Sequence, residues 1–155
     1  MPFRLLARAF AALSLSVISA LAHAVLSINE PWVRAAPDGR TAEVFVKLRS
    51  SEGATLSAID SFAARRVEMR NPGARRPLQA IELPANTVVE LKPEGSHLLM
   101  TGLVRRLRQG EHVPVTLVVR SADGLEQKLY INAEVRQHSP SEDEMNPHSH
   151  HAPPK

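Results

Sequence analysis

The sequence predicts an all-β domain, an antiparallel sandwich or barrel, on three observations. Three runs alternate apolar and polar residues with the period of a half-buried strand: 42–49 (AEVFVKLR), 113–120 (VPVTLVVR) and 128–135 (KLYINAEV). Turn signals punctuate the chain at Pro37-Asp38-Gly39, Glu52-Gly53, Asn71-Pro72-Gly73 and Asp123-Gly124. No stretch of the mature chain carries a helical period, and many short strands with regular turns indicate a sandwich or barrel.

Taken in order, residues 1–24 read as a signal peptide. Arg4 and Arg8 precede an apolar run that ends at Ala22-His23-Ala24, a small-x-small cleavage site. A retained membrane anchor is the alternative, but the run is short for a span. Residues 28–34, 55–60, 65–70 and 78–83 are shorter strand candidates. In 42–49, Val44, Val46 and Leu48 share one face. In 113–120 the shared face holds Val113, Val115, Leu117 and Val119, and in 128–135 it holds Leu129, Ile131, Ala133 and Val135. Pro114 cannot donate to a ladder, so its strand is expected to start there or to lie at an edge.

The stretch 81–103 is the centre of the chain. Thr87, Val88 and Val89 favour a strand, Pro93-Glu94-Gly95 ends it, and His97-Leu98-Leu99-Met100 begins the next. Alternation then points His97 and Leu99 one way and Leu98 and Met100 the other. After Arg136 the composition changes to HSPSEDEMNPHSHHAPPK, with almost no large apolar side chain. Such a segment cannot bury enough surface to repay ordering, so 138–155 is expected to be a disordered tail following a 25–137 domain.

Composition excludes several functions. The 19 Lys+Arg against 16 Asp+Glu fall to 17 against 16 once Arg4 and Arg8 leave with the leader, which removes the main support for nucleic-acid binding. The absence of cysteine excludes disulfides, thiolate metal sites and cysteine nucleophiles. No strand-separated Ser/His/Asp set or carboxylate pair stands out, so an enzyme is not expected.

Several pieces in order resemble the periplasmic copper chaperone family PCu(A)C. They are Trp32-Val33-Arg34, Ala63-Ala64 with Val67-Glu68, Leu83-Pro84-Ala85, the run from Val89 to Gly95 followed by His97, Thr101-Gly102-Leu103, and Gly110 with Val113 to Leu117. The resemblance spans roughly 28–135 and implies a cupredoxin-like antiparallel β-sandwich. It also implies a monomer in the periplasm that binds copper and passes it to a recipient such as a cytochrome oxidase subunit, meeting the membrane only through that partner.

The ligand set is where this chain departs from the family. There, a His and a Met from an earlier segment join a His-x-Met pair from a later one. Here His97 keeps the later His position, Leu99 replaces its Met, and Arg70 and Arg75 replace the earlier pair. Thioether and imidazole suit Cu(I), whereas a guanidinium offers no lone pair and repels the cation. Met69 and Met100 are substitute candidates beside His97, although alternation separates Met100 from it; otherwise both are core residues. In the tail, His148, His150 and His151, with Met145 nearby, offer imidazoles suited to Cu(II). The arginines 65, 66, 70, 75 and 76, with 105, 106 and 108, raise a second reading. In it a member without its sandwich copper site acts as a protein-interaction or anion-binding module.

Overall fold

In the computed structural model, residues 25–140 are described, and the leader 1–24 and the tail residues 141–155 lie outside the described residues. Nine strands run in the order β1 (Leu26–Ala35), β2 (Thr41–Ser50), β3 (Ala54–Asp60), β4 (Ala64–Arg70), β5 (Ile81–Leu83), β6 (Val88–Leu91), β7 (His97–Leu103), β8 (His112–Ser121) and β9 (Glu126–Val135). They form one continuous sheet, β4-β7-β2-β1-β9-β8-β3-β5, with β6 also paired to β2. The buried apolar residues of both halves belong to one cluster, from Val44, Leu48 and Leu98 on one side to Leu56, Val115 and Leu117 on the other. The sheet therefore folds over on itself as a sandwich, which agrees with the all-β reading. The strand faces follow the alternation: Val44, Val46 and Leu48 are buried, as are Val113, Val115, Leu117 and Val119.

Three features depart from simple alternation. The pairing between strands is antiparallel except at the seam, where β1 and β9 run parallel through Trp32↔Glu134 and Val33↔Val135; an isolated parallel bridge also joins Ser50 to Ala85. Strand β1 carries a bulge: Asn29 pairs with Lys47 and Trp32 with Phe45, so β1 holds one extra residue. Glu30 takes a φ of 50° there and Pro31, which has no N–H to give, occupies the interruption. The bulge restores Trp32 and Arg34 to the face away from the main core. Strand β8 starts at His112, close to the start expected from Pro114, and lies between β9 and β3 rather than at an edge. The pairing with β3 ends at Asp60↔Thr116, so the ring nitrogen of Pro114 meets no ladder partner, and its carbonyl accepts the Ser61 hydroxyl at 2.6 Å.

Strands β6 and β7 are not a hairpin. Both pair antiparallel with β2, β6 along 46–49 and β7 along 41–44, so they are two halves of one line interrupted by the loop 92–96. The loop closes at its base, where Lys92 N–H donates to the Ser96 carbonyl at 3.0 Å, and Glu94 turns it at a φ of 66°. His97 stands at the foot of this projection.

Candidate metal site

The outer face of β4, β7, β2 and β1 is built by register. Arg70 pairs with His97 and Glu68 with Leu99 across β4–β7; Leu99 pairs with Glu43 across β7–β2; and Glu43 pairs with Arg34 and Phe45 with Trp32 across β2–β1. Directly opposed side chains in a sheet lie roughly 5 Å apart, so these residues form two adjacent rows. One row is Arg70, His97, Phe45 and Trp32, and the other is Glu68, Leu99, Glu43 and Arg34.

Phe45 and Trp32 are buried although they lie outside the main core cluster. Their rings stack at a centroid distance of 4.4 Å, with the Arg34 guanidinium 5.3 Å from the Phe45 centroid and the His97 ring at 6.3 Å from Phe45. This aromatic pair is a second, smaller apolar cluster that supports His97 from one side.

His97 is held in one orientation. Its Nδ1 lies 2.9 Å from the Gly95 carbonyl, which can only accept, so Nδ1 carries the proton and donates. The lone pair of a neutral His97 is then on Nε2, which faces Glu43 Oε1 at 3.7 Å with the side chain 15% exposed. A backbone carbonyl that fixes the far nitrogen is the support that metal-binding histidines use. Adjacent donors on a square-planar ion with bonds of about 2.0 Å sit roughly 2.8 Å apart, and on a tetrahedral ion roughly 3.4 Å, so an ion shared by Nε2 and Oε1 would draw the two side chains together from 3.7 Å. The other oxygen of Glu43 is held by Arg34, at 2.6 Å from Nη2 and 3.1 Å from Nε. Arg70 flanks His97 on the other side and points a guanidinium nitrogen at Glu68, 3.8 Å away.

Met69 and Met100 do not join this set. Met69 pairs with Leu98, Met100 is fully buried, and both belong to the main core on the face opposite His97. The structure thus places these two candidates as core residues, for the reason alternation gives: neither strand carries the bulge between them and His97 that would reverse the face. Among the described residues no group of three or more His, Asp or Glu side chains could hold a metal ion. Met145, His148, His150 and His151 lie outside the described residues. The described start of the tail does reach this face: Ser139 borders a groove of about 340 Å³ with Glu30, Trp32, Lys47, Lys92 and Glu94.

The arginines separate into two groups. Arg70, Arg75 and Arg76 lie at the His97 end of β4, in and beside the loop 71–77, which is tied to the projection by Asn71 Nδ2 donating to Ser96 Oγ at 3.1 Å. Arg65, Arg105, Arg106 and Arg108 lie at the other end, where Ala64 pairs with Leu103. By alternation Arg66, 3.5 Å from Glu68, and Arg70 share the outer face of β4 with Glu68, beside His97 and Leu99. Glu43, Arg34 and the Phe45–Trp32 pair were not singled out as site residues by sequence reasoning. Their role depends on which strand neighbours which, and only the outward position of Glu43 between Ala42 and Val44 was available as a signal.

The family model described as "Putative lipoprotein LpqE-like" matches residues 26–131. The chain belongs to the LpqE-like family. A relative described as "Putative lipoprotein Lxx21020", from Leifsonia xyli subsp. xyli, is 32% identical over 109 aligned residues; the match covers 64% of this chain, and the chain spans 63% of the length of that relative. Among solved structures, this LpqE-like chain is similar to the copper-bound PCuAC domain from PmoF2, with a TM-score of 0.61 and 25% identity over 74% of this chain and 97% of that domain. The apo form of the same domain matches with a TM-score of 0.60 and 27% identity over 72% of this chain and 89% of that one. Copper(I)-bound DR1885 from Deinococcus radiodurans shares the fold, with a TM-score of 0.57 and 23% identity over 79% of this chain and 83% of its own. The PCuAC resemblance in the sequence and the cupredoxin-like sandwich it implied therefore agree with the fold.

Proposed function

We propose that this LpqE-like protein is an exported copper-binding protein of the chaperone type, whose site has moved from thioether to imidazole donors. His97 supplies the sandwich ligand through Nε2, with Glu43 Oε1 beside it, and His148, His150 and His151 of the tail complete the set, Met145 lying close in sequence. The observation that carries this reading is the fixed orientation of His97, with Nδ1 bound to the Gly95 carbonyl and Nε2 turned outward to a carboxylate. The fold likeness to a copper-bound PCuAC domain supports copper as the cargo.

The tail has the reach. Ser139 lines the same groove as Trp32, whose ring packs on Phe45 next to His97, and nine further residues to His148 can span about 30 Å. An N/O donor set favours Cu(II) over Cu(I). Resemblance to the family makes a periplasmic location, a monomer and delivery to a respiratory oxidase subunit the working proposal. The 155 residues contain no cysteine, so a thioether-linked lipid has no attachment point among them.

The test is a competitive titration of the chain from Val25 with Cu(II) and Cu(I), beside a version ending at Arg136. Cu(II) affinity is expected to fall by about 100-fold or more on truncation, since imidazoles are then lost from the set. Equal affinity in both forms would contradict a tail-borne site, and binding by neither would remove the copper role.

A further inference from the structure

The end of the sandwich remote from His97 is built from three loops: 36–40 between β1 and β2, 61–63 between β3 and β4, and 104–111 between β7 and β8. They are joined by Leu103 N–H donating to the Arg40 carbonyl and Val104 N–H to the Ala63 carbonyl, each at 3.0 Å. At their centre Phe62 is 88% exposed and Val104 64% exposed. Phe62 is held outward by its neighbour. Ser61 is 4% exposed, its hydroxyl donates to the Pro114 carbonyl at 2.6 Å and accepts from Ala63 N–H at 3.2 Å, and its carbonyl accepts from Ala64 N–H at 3.3 Å. The turn is closed on both sides of Phe62, and the ring has no place in the core.

Around these two apolar residues stand Arg40, Arg65, Arg105, Arg106 and Arg108. The acids of the same end are already engaged. Glu111 binds Arg105 at 2.6 Å, and Arg105 holds its carboxylate below the usual range; Asp38 accepts from the amides of Arg40 and Thr41, and Asp60 from that of Ser61. Arg40, Arg65, Arg106 and Arg108 make no ion pair within 4 Å among the described residues, although Arg40 is near enough to Asp38, and Arg108 to Glu111, to help hold those carboxylates below their usual range. Arg106 lies over Gly39, where a Cβ would come within 2.8 Å of its Cγ, so glycine there leaves room for the guanidinium stem to cross the turn.

We propose that this tip is a docking surface for an acidic protein segment presenting an apolar side chain, with Phe62 and Val104 as the apolar contact and the unpaired arginines as the carboxylate contact. Charge complementarity selects an acidic partner, and guanidiniums match carboxylates as two-pronged donors. A protein segment fits better than a lipid surface because the apolar contact is small and its turn is fixed by the hydrogen bonds of Ser61, which a complementary protein contact rewards and a fluid bilayer does not. The tip is remote from the candidate metal site, so this proposal stands or falls independently of copper.

The test uses the isotope-labelled full chain and three probes: a short Glu/Asp-rich peptide with one central Leu, its Gln/Asn counterpart, and vesicles of phosphatidylglycerol and phosphatidylcholine in equal parts. The acidic peptide is expected to shift the amides of Phe62, Ala63, Val104 and Arg105, and the neutral peptide to leave them in place. Phe62→Ser should weaken peptide binding about tenfold while the remaining spectrum is unchanged, and Arg106→Glu with Arg108→Glu should abolish it. Shifts spread equally over Arg70, Arg75 and Arg76, or binding indifferent to Phe62→Ser, would overturn the proposal as unspecific charge attraction. No shift at the tip would overturn it, and Phe62-dependent binding to vesicles but not to peptide would replace it with a membrane contact.

Discussion

Arg70→His combined with Leu99→Met is expected to raise Cu(I) affinity by about 100-fold or more, measured by competition with a Cu(I) chelator. The two positions are fixed by register: residue 70 is directly opposite His97, and residue 99 is two positions along the same face of β7. The pair of changes would put a second imidazole and a thioether around Nε2 of His97, a donor set suited to a soft ion, and would remove the guanidinium beside it. Both residues are only half-buried, so the substitutions need no repacking of the main core. The gain should persist in the version ending at Arg136, which separates a rebuilt sandwich site from any contribution of the tail. Unchanged Cu(I) affinity would mean that the face around His97 is not arranged as the family's copper site is.

Phe45→Ala is expected to cost about 3–5 kcal/mol of stability, read from urea denaturation. Phe45 is fully buried, yet its contacts are Trp32, Arg34 and His97 rather than the main core. Removing it leaves Trp32 without its stacking partner and opens a cavity under His97 that no neighbouring element of the rigid sheet can fill. If the domain folds, Cu(II) affinity should fall as well, because His97 loses its side support. A loss below about 1 kcal/mol would show that the outer cluster contributes little.

The strands were legible in the sequence because alternation is local. Residues 42–49, 113–120 and 128–135 each turned the expected apolar set inward, and the separation of Met100 from His97 followed from the same period. What depends on neighbours in space was not legible. The bulge at Glu30–Pro31 adds one residue to β1 and so decides that Trp32 lies on the His97 face, and nothing in the 28–34 run announces the partner that defines the shift. The parallel seam between β1 and β9 and the shared partner of β6 and β7 are likewise facts of topology. The candidate site shows the same division. His97 was found from its place after the Gly turn, whereas Glu43 emerged only when β2 proved to lie beside β7. The arginines formed one apparent cluster in sequence because β4 is only seven residues long, but its two ends are roughly 20 Å apart in space.

The measurement that tests the central claim most directly is paramagnetic broadening by Cu(II) in the isotope-labelled chain from Val25. If His97 and the tail share one ion, stoichiometric Cu(II) should broaden the amides of Glu43 and of Gly95 to Leu99 together with those around His148 to His151, and His97→Ala should confine the effect to the tail. Broadening restricted to the tail in the unaltered protein would contradict the account, leaving the sandwich with no part in holding the metal.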